Sequence, residues 1–259
     1  MTQRIIFALQ KGGVGKTSST VAVAEIMAAS GYKVLVVDFD SQGNATKMLT
    51  KNSIYKYSGR TIMEAIKERN AAPYIVNVKE GLDLIPAEDK LALFSQHIYT
   101  SEIKTPYAVL KRILAPIDSR YDFVFVDVGP TLGDHMINAI VYADHLFIPL
   151  DTGDFAMDAM VRFIKFANDA REKRFTKAEI GGIFLTMRDG RSTKYEREIS
   201  EGIRDVYGDL IFKTEIHRRV RIKEMSSEGV DVVASAMGDY LDLTEEILQR
   251  IRKEKQHEQ

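Results

Sequence analysis

Residues 10–17 read Gln-Lys-Gly-Gly-Val-Gly-Lys-Thr, directly after an apolar run at 4–9 and directly before Ser-Ser-Thr-Val-Ala-Val-Ala-Glu-Ile-Met-Ala-Ala. Closely spaced glycines let backbone N–H groups approach phosphate oxygens, and a helix beginning beside them turns its positive end toward the same anion. In that setting Lys16 reaches the β- and γ-phosphates of a nucleotide, and the Thr17 hydroxyl serves as a Mg²⁺ ligand. Gly12, Gly13, Val14, Gly15, Lys16, Thr17 and Ser18 are therefore the expected nucleotide-binding residues. The loop departs from the usual G-x-x-x-x-G-K-[ST] pattern at its first position, which is Gln10, and it carries a second lysine, Lys11. A second ammonium in a phosphate cradle can neutralise charge that develops as a γ-phosphate leaves. The plainer reading is a glycine-rich strand-to-helix turn with a solvated lysine.

Two further segments carry carboxylates at the ends of apolar runs. Residues 37–46 read Val-Asp-Phe-Asp-Ser-Gln-Gly-Asn-Ala-Thr, and residues 123–133 read Phe-Val-Phe-Val-Asp-Val-Gly-Pro-Thr-Leu-Gly. An apolar strand ending in Asp is the pattern that holds Mg²⁺ in phosphoryl transfer, which makes Asp127 a metal residue, while Asp40 lies in the turn that follows the other run. Asp is also common in turns, so neither carboxylate is specific without the loop. Other chemistries lack their residues. There are no cysteines, which excludes thiolate catalysis, disulfides and cysteine-held clusters. The histidines lack the H-E-x-x-H spacing of a zinc site, and no G-x-S-x-G elbow is present.

The run K-G-G-x-G-K-T at 11–17, with D-F-D-S-Q-G-N-A-T at 38–46, resembles the ParA/MinD family of deviant Walker A P-loop ATPases, and the resemblance extends through nearly the whole chain. It implies ATP and Mg²⁺ as cofactors, and slow hydrolysis that a partner stimulates. Lys11 would reach the nucleotide of a second subunit in an ATP-dependent homodimer. Asp40 would orient the attacking water and the magnesium shell, so Lys11, Lys16 and Asp40 form the expected catalytic set and Thr17, Asp40 and Asp127 the metal set. Adenine is implied over guanine, with Met187 and Arg218 near the base. Arginines matching Arg191 and Arg221 contribute to sequence-independent binding of double-stranded DNA in the family, and a ParB-type centromere-binding protein is the implied partner. The chain resembles the short ParA type most, hence plasmid or chromosome segregation by a cytoplasmic protein that joins the nucleoid with ATP. The alternative is a MinD-like or cargo-positioning ATPase acting on a protein or membrane partner without DNA, and a third reading is a scaffold that binds nucleotide without turnover. Three positions depart from the family pattern: Ser41 and Gly129 stand where proline is usual, and Ile216-His217-Arg218 where Ile-Pro-Arg is usual.

The elements that must position these residues follow from the hydrophobic pattern. Short apolar runs at 4–9, 33–38, 82–86, 123–128, 145–150 and 181–187 read as strands. Between them, 16–29, 60–69, 105–115, 155–174, 193–207 and 238–254 read as helices. Strands alternating with helices predict an α/β fold with a doubly wound, mostly parallel sheet of P-loop type. The 259 residues suit one such domain, with a charged tail at 250–259 expected to fray. The net charge of −1 supplies no global field toward DNA, so binding would rest on the local clusters at 188–194 and 217–223. No run approaches a membrane span, and the last residues, mixing Lys, Arg and Glu, lack the apolar face of a membrane-surface helix, so no membrane partner is expected.

Overall fold

A computed structural model describes residues 1–101, 103–151, 153, 155–188, 194–217 and 237–257, the side chains at 187–188, 194–197, 255 and 257 excepted. In chain order the main elements are β1 (Gln3–Phe7), α1 (Lys16–Ala29), β2 (Val34–Phe39), α2 (Asn44–Thr50) and α3 (Ile62–Glu68). They continue with β3 (Val76–Lys79), β4 (Leu82–Ile85), α4 (Phe94–Thr100), α5 (Val109–Asp118), β5 (Phe123–Val128) and α6 (Asp134–Tyr142). The last are β6 (His145–Leu150), α7 (Ala156–Glu172), β7 (Glu179–Arg188), α8 (Lys194–Tyr207), β8 (Ile211–His217) and α9 (Gly238–His257).

The described strands form one sheet in the order β3-β4-β2-β5-β1-β6-β7-β8. Every neighbouring pair is parallel except β3 with β4. The fold is thus the mixed, mostly parallel α/β sheet expected from the alternating pattern. β2, β5 and β6 are buried at every position, which explains why their sequences are apolar on both faces. One core layer packs α3, α5, α6 and α7 against one face, and the other packs α1 and α9 against the opposite face.

The chain leaves β1 toward β2 on one side, returns to place β5 between them, and continues to β6 on the other side. The strand order therefore reverses around β1, and ligands of open α/β sheets settle outside strand ends at such a point. The loop at 8–15, the exit of β2 and the exit of β5 all open there.

α9 runs on to His257, with Ile251 buried and Arg250 stacked on the Phe212 ring at 4.0 Å. Those side chains dock the helix against β8 and the core beneath it.

Candidate functional site

The phosphate loop owes its shape to glycine. Gly13 and Gly15 have φ of 75° and 86°, a left-handed region closed to most side chains. Gly15 is also the N-cap of α1 and offers no side chain to the helix's first amides, and the first turn holds no acidic residue. Those amides are left for an anion. The loop is braced from the far side by Thr186, near the end of β7, whose hydroxyl donates to the Val14 carbonyl at 3.0 Å.

Around this loop lies a cavity of ≈ 380 Å³ lined by Gly12, Gly13, Gly15, Lys16, Thr17, Ser18, Asp40, Gln42, Asn44, Val128, Gly129 and Pro130. Lys16 is 6% exposed, and its Nζ donates to the Lys11 carbonyl at 2.7 Å. Burial pulls its ammonium below the ordinary lysine range, against the opposing charges of Asp127 and Asp40.

Opposite Lys16 stand the strand-end carboxylates. Asp38 and Asp127 face each other in the β2–β5 register, and both are fully buried. Asp38 is well supplied with donors. Its Oδ2 accepts from the Thr46 amide at 2.8 Å and the Thr46 hydroxyl at 2.6 Å, and its Oδ1 accepts from the Asp40 amide at 3.3 Å. Thr46 in turn accepts from the Ala87 amide at 3.0 Å. Burial outweighs these bonds and pushes the Asp38 carboxyl up to about 6.

Asp127 is poorly supplied. Thr20 reaches its Oδ1 only at 3.4 Å, and its Oδ2 is buried without a hydrogen-bond partner. Burial, together with the charge of Asp38, raises the Asp127 carboxyl well above its usual range despite the pull of Thr17 and Lys16. An orphaned carboxylate oxygen beside a threonine hydroxyl, next to a cavity ringed by amides, is the donor set a hard divalent cation takes. The residues present fit Mg²⁺.

Asp40 lies on the loop after β2, half-buried, and its Oδ1 accepts from the Gln42 amide at 3.1 Å. A Cβ at Gly129 would stand 3.2 Å from Asp40 Oδ2, so the exchange of proline for glycine leaves that carboxylate room. His217, another departure, ends β8 by donating its backbone N–H to Asp239 at 3.0 Å, a bond proline could not make.

The cavity thus gathers Gly12, Gly13, Gly15, Lys16, Thr17, Ser18 and Asp40. Val14 is buried behind the loop, and Asp127 lies fully buried with Thr17 and Lys16 beside it. Lys11 directs its ammonium elsewhere, onto Asp151. Arg191, Arg218 and Arg221 lie outside the described residues, as does the side chain of Met187. Sequence reasoning missed Thr20, Thr46 and Asp151. Thr46 stood within the quoted motif, and only its bond to Asp38 shows its role.

A family model described as an AAA domain matches residues 2–180. The chromosome-partitioning ATPase Soj of Treponema pallidum is 31% identical over 257 residues, covering 96% of this chain and 98% of Soj. The chain belongs to the Soj/ParA family. Like the deviant Walker A ATPases it resembles in sequence, this Soj/ParA member is matched in fold along nearly its whole length. The apo McdA structure from Cyanothece superposes with a TM-score of 0.86 at 22% identity, covering 97% of this chain and all of that one. Cobyrinic acid a,c-diamide synthase from Mycobacterium smegmatis, solved with an ATP analogue and magnesium, superposes at 0.84 with 25% identity, covering 96% and 95% of the two chains.

Proposed function

We propose that this Soj/ParA member is a Mg-ATP-driven partition ATPase that dimerises with ATP, holds DNA without sequence preference, and lets go on hydrolysis. The observation that carries the reading is the meeting of the loop amides, Lys16 and Asp40 around one cavity, with the orphaned Asp127 buried beside it. Loop amides and the Lys16 ammonium bind the terminal phosphates, and the Asp40 carboxylate orients the attacking water. Thr17, Asp127 and Asp40 would hold Mg²⁺, which adds charge neutralisation at the β–γ bridge. Lys11 completes the site from a second copy, so turnover waits on dimerisation.

The DNA step rests on Arg191 and Arg221, one in each basic cluster, and doubling such a patch by dimerisation steepens its response to salt. A ParB-type partner is the expected stimulator, and the relatives' role in chromosome partition supports this output. The test is a gel shift on random-sequence duplex with Mg-ATP against Mg-ADP. Retention with ATP alone, abolished by charge reversal at Arg191 and Arg221, is the expected result. Normal ATP turnover without any retention would remove the DNA step and leave a positioning ATPase with a protein cargo.

A further inference from the structure

Lys11 and Asp151 are 140 residues apart, and β1 and β6 bring them together. These strands are parallel neighbours in register from Ile5↔His145 to Phe7↔Phe147, and the Ala8 amide continues the ladder onto the Phe147 carbonyl at 3.0 Å. The loops leaving the two strands therefore emerge side by side. Across that gap Lys11 Nζ meets both oxygens of Asp151, at 2.7 and 3.0 Å. The two side chains are 25% and 21% exposed. Gly153 lies against the pair, its ideal Cβ position 3.5 Å from Lys11 Nζ and 3.6 Å from Asp151 Oδ2.

The contact sets where the second lysine of the loop can act. Lys11 is absent from the lining of the phosphate cavity, whereas Lys16 is part of it. Lys16 meanwhile donates to the carbonyl of Lys11, so the two loop lysines are linked through one residue's backbone. The Lys11 ammonium itself is held by both oxygens of Asp151. An ammonium so held is neutralised locally and must part from its carboxylate before it can serve another anion.

We infer that Asp151 is the positioning residue that holds Lys11 outside the cradle, and that opening this ion pair is the step that releases Lys11 toward nucleotide bound by a second copy. The inference rests on the dimer reading above. A protein whose competent form is a minor fraction binds with an apparent dissociation constant raised by that fraction, so Asp151 sets the threshold for association.

The test uses the full chain with Mg²⁺ and a non-hydrolysable ATP analogue, followed by sedimentation equilibrium. Asp151→Asn should tighten self-association by about two- to fivefold, the size expected from removing one partly exposed ion pair. Asp151→Glu, which keeps the charge, should stay near the wild-type value. In a Lys11→Ala background Asp151→Asn should change nothing, which a merely structural role would not predict. A wild-type dimer that Asp151→Asn fails to tighten overturns the holding role, as does an equal gain without Lys11. Absence of analogue-dependent association in every variant would instead bring down the dimer reading itself. Thermal unfolding of each variant, expected within a degree or two of wild type, guards against misfolding.

Discussion

Two carboxylates in this molecule differ in what surrounds them, and their difference separates scaffold from site. Glu246 on α9 lies under the edge strand β8. It accepts from the amides of Lys213 and Thr214 and from the Thr214 hydroxyl at 3.0–3.1 Å, and Arg250 adds a contact at 3.3 Å. Burial would push its carboxyl up, yet those donors hold it below the usual range. Asp127 has the opposite balance, being buried, faced by Asp38 and short of donors. Glu246 ties an edge strand to a helix. Asp127 keeps unspent bonding capacity, which destabilises the free chain and favours whatever cation settles there.

The contrast can be broken most forcefully at Lys16, a cation whose charge acts on Asp127. Lys16→Ala should weaken ATP binding by at least ~30-fold, as removal of one partner of a desolvated charge pair does. Calorimetric titration checks it, and unchanged affinity would empty the cradle of its meaning. Asp127→Asn should raise the stability of the nucleotide-free chain by about 1–2 kcal/mol, because a buried charge is removed, while Mg²⁺ ceases to strengthen ATP binding. A variant that is both less stable and still magnesium-dependent would reverse the assignment. Glu246→Gln should cost about 1 kcal/mol in urea unfolding and leave nucleotide affinity untouched.

Acidity sharpens the same comparison, since the two environments titrate with opposite sign. The lowered carboxyl of Glu246 contributes stability that is present above its ordinary value of 4.5 and lost as pH falls through the folded value. Asp38, raised from 3.8 to about 6, contributes a penalty that is absent below the lower value and complete above the upper one. Between those limits the folded state holds the extra proton, so Asp38→Asn should gain on wild type as pH rises to about 6. Urea midpoints of both variants across that range measure the two trends, and parallel curves would contradict them.

The phosphate loop and the sheet were legible in the sequence because each rests on local pattern. The helix expected at 16–29 is α1 residue for residue, since a lysine-threonine start and a following glycine bracket a run of small apolar residues. The strands under the site were legible because burial on both faces leaves only apolar side chains. Other elements were hidden for physical reasons. α2 and α4 span two turns each, too short for a periodic signal, and α6 follows a motif loop that masks its start. β3 is short and nowhere fully buried, so its Val-Asn-Val-Lys sequence carries little contrast. Asp151 was out of reach for a different reason. Its partner lies in another strand's loop, and only the order β1-β6 in the sheet makes them neighbours.

The Thr46 side chain has a mechanical consequence. Its oxygen joins Asp38 at the exit of β2 to Ala87 beyond β4, and the Pro86 carbonyl there holds the first amide of α3 at 2.8 Å. The arc from Asp40 to Ala45 is therefore tied at its far end through Thr46, while the Gln42 and Gly43 amides bond back to Asp40 at its near end. Displacement of Asp40 is expected to reach α3 through the Thr46 hydroxyl as well as along the chain.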